Sequence, residues 1–456
     1  MKHSILSILL LAACSATMPL NAQNTGEQKL SQMILAAEQG DAAAQYYMGN
    51  CYAKGQGVTQ NSEEAVKWYR LSAEQEYGEA QNKLGEYYAK GGAGLQRDMS
   101  EAVKWYRKAA ENGNAKALFN LGVCYDNGDG VRKDSAEAVQ YYRLAAEKGN
   151  AEAQCNLGSC YYLGSGIGMD FTEAAKWFRK AADQGNAAAQ VKFGTCLAGG
   201  DGVGKDFEEA VKWFRKAADQ GNAEAMIKLG DCHANGTGVD KDLKEAAVWY
   251  TKAADLDSFD AAYKLGECYE YGTGVEKDFQ MAKEYYLLAT HILRHTKETE
   301  TTKLLREKMY QLGNQYAKGH DNDKELREAL TFYWAAAILG KAEALTLLQQ
   351  YANQGNANAQ YFMGATYLNG GVGIRRNLSK AEQWYRKAER QGHLGAIEEL
   401  GNLRSDLRQY YGINPIYRTD RNKTGTVSVS FTAPPILGRA AAMVCPFLFL
   451  CRPVFR

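Results

Sequence analysis

Proline is almost missing from the body of this chain. Of 456 residues six are proline, and none lies between Asn24 and Asn414. Pro19 falls near the start, and Pro415, Pro434, Pro435, Pro446 and Pro453 fall near the end. A proline-free run of that length, rich in Ala, Glu, Lys and Gln, reads as helix throughout. An excess of charge of one sign is also missing. The net charge is +1, so no global field argues for nucleic acid or an anionic membrane. Long hydrophobic runs are missing too. The apolar stretches Ser4–Ala13 and Ala440–Cys451 are ten and twelve residues long, short of the roughly 20 that span a bilayer. Finally, no linker of Gly, Ser or Pro divides the chain until near its end, although its length exceeds that of an ordinary domain.

What is present begins with an export signal. Lys2 supplies a positive start, Ser4–Ala13 an apolar stretch, and small residues follow, so residues 1–22 are expected to be a signal peptide. Two cleavage readings stand. Leu11-Ala12-Ala13-Cys14 resembles a lipobox that would leave Cys14 lipidated at the mature terminus, whereas cleavage after Ala22 would leave a soluble chain starting at Gln23. Either route places the protein in the periplasm or cell envelope.

Internal repetition decides the architecture. A glycine after a leucine or similar apolar residue recurs at Gly49, Gly85, Gly122, Gly158, Gly194, Gly230 and Gly266, at intervals of 36 residues with one of 37. The longer interval contains Gly91-Gly92-Ala93-Gly94, which carries one more loop residue than Gly55-Gln56-Gly57. Further copies centre on Gly313 and Gly364. Within the fourth copy, Ala153, Leu157, Cys160 and Tyr161 form the apolar face of a first helix. Gly164-Ser165-Gly166 breaks it, and Asp170 with Glu173 forms a capping box for a second helix, as do Asp98/Glu101, Asp134/Glu137, Asp206/Glu209 and Asp242/Glu245. Ala174, Trp177, Phe178 and Ala181 give the second apolar face; Gly185 ends the helix and Asn186 caps the next. One such pair cannot bury its own faces, so the pairs must stack. The expectation is an all-α solenoid of about nine helix-turn-helix repeats. Residues 23–39 would be a capping helix, 40–290 seven regular repeats, 291–356 an irregular insertion with a degenerate repeat, and 357–408 a last repeat with a cap. Residues 409–456 would be an irregular tail.

Written out, the unit is A-x-A-x-x-x-L-G-x-x-Y, then G-x-G-V, then K-D-x-x-E-A-x-x-W-[YF]-R-K-A-A-x-x-G. It resembles the Sel-one-like repeat, a relative of the tetratricopeptide repeat, over roughly residues 40–290 and 357–401. The resemblance implies a right-handed superhelix with a concave binding side that acts as a non-enzymatic adaptor or scaffold for protein complexes. It names no partner. Weak hydrolysis of cell-wall or antibiotic substrates, claimed for some relatives, and glycan binding are the alternatives it leaves open.

Several features invite chemical readings. The loops Gly128-Asp129-Gly130 and Gly236-Thr237-Gly238 look like phosphate cradles, but they lack the preceding strand of a nucleotide fingerprint and join two helices in every repeat. Trp68, Trp105, Trp177, Trp213, Trp249 and Trp384 share one slot of the second helix, with Tyr141 and Tyr285 in that slot elsewhere; an aromatic at the structural period is core. Basic groups such as Lys176/Arg179/Lys180 lie near acidic residues and read as a solvated face. His291 and His295 stand four apart without a third ligand, so no metal and no cofactor are assigned.

Ten cysteines in an exported chain raise the question of disulfides. Cys51, Cys124, Cys160, Cys196, Cys232 and Cys268 each follow the repeat glycine by two residues. Equivalent helices of neighbouring repeats lie about 8–10 Å apart or more, beyond the roughly 7 Å between Cα atoms that a disulfide allows. This column is expected to be packing. Cys445 and Cys451 are the pair left free to bond. The partner-facing surface is expected on the first helices, away from this column, where the fourth copy carries Cys155, Ser159 and Tyr162. The position three before each glycine holds Tyr46, Asn82, Phe119, Cys155, Val191, Ile227, Tyr263, Tyr310 and Tyr361. Either Tyr46, Phe119, Cys155, Val191, Ile227, Tyr263 and Tyr361 line a groove for a peptide or protein, or they pack between adjacent first helices.

Overall fold

The computed structural model describes residues 30–293, 299–318 and 323–411. The expected signal segment with Cys14 and Ala22, His295, and the tail with Cys445 and Cys451 lie outside the described residues. A helix over residues 30–38 opens the described chain. Paired helices follow: Ala42–Lys54 with Ser62–Glu74 (repeat 1), Gly78–Lys90 with Met99–Glu111 (repeat 2), Ala115–Asn127 with Ser135–Glu147 (repeat 3), and Ala151–Leu163 with Phe171–Asp183 (repeat 4). Ala187–Gly199 with Phe207–Asp219, Ala223–Asn235 with Leu243–Ala254, and Phe259–Tyr271 with Phe279–Leu293 make repeats 5 to 7. Glu300–Lys318 with Asp323–Ile338 forms repeat 8, an extra helix Ala342–Asn353 follows, and Ala357–Asn369 with Leu378–Glu389 is repeat 9. The second helix of repeat 8 starts at Asp323, within the stretch 291–356 whose sequence pattern is irregular. The described residues contain no β-strand. Each second helix packs on its own first helix and on the first helix of the next repeat, the regular contact set of an α-solenoid.

The contact that sets the distance within a pair is a glycine under an aromatic ring. A Cβ placed on Gly158 would lie 2.7 Å from two ring carbons of Phe178. The same contact pairs Gly49 with Tyr69, Gly85 with Tyr106, Gly122 with Tyr142, Gly194 with Phe214 and Gly230 with Tyr250. Gly266 with Tyr286, Gly313 with Tyr333 and Gly364 with Tyr385 complete the series. These rings are fully buried or nearly so; the tryptophan one residue earlier is only half-buried in most repeats. The core aromatic is therefore the residue after the conspicuous tryptophan. Trp105, Trp177, Trp213, Trp249 and Trp384 instead each lie under a lysine three residues on, at 3.8 to 4.4 Å from the ring centre.

A second close approach joins repeats. In repeats 3 to 7 the later glycine of the inter-helix loop sits on the first carbonyl of the preceding second helix: Gly130 on Met99, Gly166 on Ser135, Gly202 on Phe171, Gly238 on Phe207 and Gly274 on Leu243. No side chain fits there, which accounts for the glycine-rich loops without any ligand. The 37-residue interval is absorbed in the loop of repeat 2, where Gly92 and Leu95 form an isolated antiparallel bridge around Ala93.

The caps form by halves. The Asp170 carboxylate accepts from Glu173 N, as Asp98 does from Glu101 N and Asp206 from Glu209 N. The reciprocal half of the capping box is replaced. Asp170 N–H donates instead to Tyr161 O across the loop, at 2.9 Å, and the Glu173 carboxylate pairs with Lys176 at 2.7 Å. A closed helix-turn-helix needs that cap N–H for its own loop.

Gly158→Ala is expected to destabilise the chain by about 1–3 kcal/mol through overpacking against Phe178, read as a lower midpoint of urea unfolding. Adding Phe178→Leu should restore part of that loss; an unchanged midpoint for Gly158→Ala alone would refute the contact.

Candidate functional site

The first-helix face is built by the residues that remain once packing is satisfied. In repeat 4, Ala153, Leu157 and Gly158 turn inward, and the opposite side carries Cys155, Ser159 and Tyr162. The column three before the repeat glycine divides there. Cys155, Val191 and Tyr361 are buried, while Tyr46, Phe119, Ile227 and Tyr263 are half-buried. Tyr46 packs on Tyr69 (ring centres 5.8 Å), Phe119 on Tyr142 (6.0 Å), Tyr263 on Tyr286 (5.7 Å) and Tyr361 on Tyr385 (5.7 Å). Each of these supports the locking aromatic of its own repeat, and Ile227 packs into the core of repeats 6 and 7. The column thus contributes to packing throughout, and its half-buried members also reach the surface.

The position after the glycine is tuned to the lock. Where the locking residue is tyrosine, an acceptor stands there in several repeats: the Tyr69 hydroxyl donates to Asn50 Oδ1 at 3.0 Å, Tyr250 to Asp231 Oδ1 at 2.7 Å and Tyr333 to Asn314 Oδ1 at 3.0 Å. Where it is phenylalanine, Ser159 and Thr195 stand there, and their hydroxyls donate to Cys155 O and Val191 O of their own helices. Buried tyrosines so placed have their hydroxyl pKa pushed upward by desolvation. Asp231 also binds Lys264 at 2.9 Å, and Glu270 binds Lys308 at 2.7 Å, so this face carries ion pairs that bridge repeats.

Sequence reasoning missed a buried amide. Gln154 Nε2 donates to Ala146 O at the end of repeat 3, and its Oε1 accepts from Gln184 at the end of repeat 4, at 2.7 Å. Gln45, Gln81, Gln190 and Gln360 bond likewise to Ala37, Ala73, Ala182 and Ala352. The signal was legible as A-x-A-Q, or Gly78-Glu79-Ala80-Gln81 in repeat 2, at the start of these repeats, but Leu118, Met226 and Ala262 take the place in others and conceal it.

Between the first helices of repeats 5 and 6 lies a hollow of about 220 Å³. Thr195, Ala198, Phe207, Phe214, Lys228 and Thr237 are among the residues that line it. Among the described residues no cluster of three His, Cys, Asp or Glu side chains is placed to hold a metal, and no helix is long and apolar enough to cross a membrane.

The cysteine column is packing, as the spacing indicated. Cys51, Cys124, Cys160, Cys196 and Cys268 are buried, Cys232 is half-buried, and all carry free thiols. Burial pushes the thiols of Cys124, Cys160 and Cys196 up to about 11. A thiol held neutral by burial stabilises the fold below its unfolded pKa, and that stability is lost as pH rises through the folded value. Stability should therefore fall between about pH 9 and 11, and the fall should be shallower in a Cys124→Ala/Cys160→Ala/Cys196→Ala chain. Thiol labelling of the native chain at pH 8 should be far slower than in urea; equal rates would contradict the burial.

Comparison with known proteins places this geometry. The model of the family described as "Sel1 repeat" matches residues 42–77, 78–114, 115–150, 151–186, 187–222, 223–258, 259–290 and 357–393. Repeat 8 is not among these, although it keeps the Gly313–Tyr333 contact. The structure of a protective antigen from uropathogenic Escherichia coli strains, described as displaying an SLR fold, is similar over 84% of this chain and 83% of that one, at 31% identity and a TM-score of 0.56. A Sel1 repeat protein from Oxalobacter formigenes is similar over 56% of this chain and 98% of its own, at 33% identity and a TM-score of 0.50. A curated relative, the Arabidopsis thaliana ERAD-associated E3 ubiquitin-protein ligase component HRD3A, is 39% identical over 61 residues, and the chain spans 9% of that protein's length.

Proposed function

We propose, from the fact that this chain belongs to the Sel1 repeat family, that it is a scaffold of the bacterial cell envelope which holds a peptide or protein partner on the concave, first-helix side of its solenoid. Sel1 repeats are protein-interaction scaffolds, and the solved neighbour that matches most of this chain is described as a protective antigen displaying an SLR fold. The observation that carries the reading is where the repeats differ. Packing positions hardly vary: the glycine, the inward alanines and a locking Tyr or Phe recur from repeat to repeat. On the first-helix face the residue after the glycine runs Asn50, Glu86, Val123, Ser159, Thr195, Asp231 and Glu267. Part of this variation serves the locking tyrosines, as at Asn50 and Asp231. But Val123 offers no acceptor to Tyr142, and Tyr286 donates to Glu270 rather than to Glu267, so charge, hydroxyl and apolar groups alternate along this half-buried side beyond what the lock requires. An extended partner reads such a side residue by residue.

The envelope location rests on Lys2, the apolar Ser4–Ala13 and the small residues that follow. Mass spectrometry of the mature N-terminus tests it: a terminus at Gln23 or a diacylated Cys14 is the expected result, and an intact Met1 on the protein in its native host would overturn it.

Photo-crosslinking tests the binding face. Benzoylphenylalanine at Lys192 or Lys228, on first helices, is expected to trap one reproducible partner, while the same residue at Lys176 or Lys212, on second helices, should trap it at less than about one tenth the yield. Equal yields from both faces would refute the first-helix reading.

A further inference from the structure

The hollow on repeat 5 has a filled counterpart one repeat earlier. In repeat 4, Tyr162 lays its ring against Phe171, edge-on with centres 5.0 Å apart, and against Phe178 at 6.4 Å. Its hydroxyl donates to Asp201 Oδ2, in the loop of repeat 5, at 2.9 Å. One repeat of 36 residues further on, these four positions are Ala198, Phe207, Phe214 and Thr237. All four line the hollow. The space is the place of a tyrosine side chain, left open by the alanine. Repeat 6 also has an alanine at this position, Ala234, but there Lys264 reaches over the Tyr250 ring at 5.6 Å and pairs with Asp231.

We propose that the hollow between repeats 5 and 6 is a docking site for a tyrosine side chain of the protein partner, a reading that rests on the scaffold function above. The incoming ring takes the place against Phe207 and Phe214 that Tyr162 takes against Phe171 and Phe178. Its hydroxyl donates to Thr237 Oγ1, where that of Tyr162 donates to Asp201. Phe207 is more than a third exposed in the free chain and is covered by the ring. Two charged groups face the hollow. Asp231 is already held by Lys264 and Tyr250, which leaves Lys228 at the rim to favour an acidic residue beside the tyrosine.

Methyl NMR of the full chain, labelled at Ala and Thr and titrated with N-acetyltyrosinamide, tests this directly. Saturable shifts are expected at the Ala198, Thr195 and Thr237 methyls, in the millimolar range that so small a probe allows. N-acetylphenylalaninamide should bind about threefold to tenfold more weakly, for want of the hydroxyl. Ala198→Tyr, which installs the residue that repeat 4 already carries, should abolish the shifts at an unchanged melting temperature. Thr237→Val should bring the tyrosine probe down to the level of the phenylalanine probe, and it decides the matter if Ala198→Tyr lowers the melting temperature. Shifts that do not saturate, or that survive in Ala198→Tyr, would overturn the proposal. So would partner crosslinking from Lys192 at undiminished yield in Ala198→Tyr, a result that leaves the scaffold function standing; loss of crosslinking from every first-helix site of the unaltered chain would remove both.

Discussion

Everything regular in this chain depends on one steric contact: a glycine of the first helix pressed against an aromatic ring of the second. A ring that close to a backbone leaves no room for a Cβ, so the residue opposite each Tyr or Phe must be glycine. The cost of glycine inside a helix, about 0.5–1 kcal/mol relative to alanine, is offset by burying a whole aromatic side chain. The contact also fixes axial register, because a ring can sit over a glycine at one height only. Once register is fixed, the other rungs fall into line: the amides of Gln45, Gln81, Gln154, Gln190 and Gln360, and the loop glycines on the preceding helix starts.

The sequence displays this framework plainly because the same local solution recurs. Glycines at constant spacing, Asp and Asn caps, and second-helix alanines are each set by neighbours within one repeat, so pattern alone places them. What depends on contacts between repeats was harder to see. The tryptophans stand out by type, yet the ring that matters is the quieter Tyr or Phe beside them, since only the helix rotation decides which of two adjacent aromatics meets the glycine. The capping boxes were half legible: carboxylate to backbone is local, but Tyr161 O takes the N–H of Asp170 from across a loop. Pattern alone cannot choose between groove and packing for the column from Tyr46 to Tyr361; the side chains take up packing at every level while keeping partial exposure at Tyr46, Phe119, Ile227 and Tyr263.

Repeat 8 shows which rules are indispensable. Fewer residues separate its two helices, an additional helix, Ala342–Asn353, follows it, and the family pattern is not detected there. Gly313 nevertheless lies under Tyr333, whose hydroxyl still finds an acceptor in Asn314. At the junction with repeat 7, ion pairs with little solvent access, Lys283–Glu328 at 2.8 Å and Lys308–Glu270 at 2.7 Å, bridge the two repeats. Loss of one partner from such a pair strands the other charge, so a junction of this kind depends on charge state where its neighbours depend on shape.

The small turn around Ala93 bears on how such a chain changes length over generations. One residue added inside a helix would swing every following side chain through about 100° and slide the glycine out from beneath its ring. One residue added between Gly91 and Leu95 only tightens a bend. Insertions and deletions that survive should therefore collect at the bend between paired helices, or arrive as whole units of 36 residues copied in register, and the genealogy of the chain would be written in multiples of its own period.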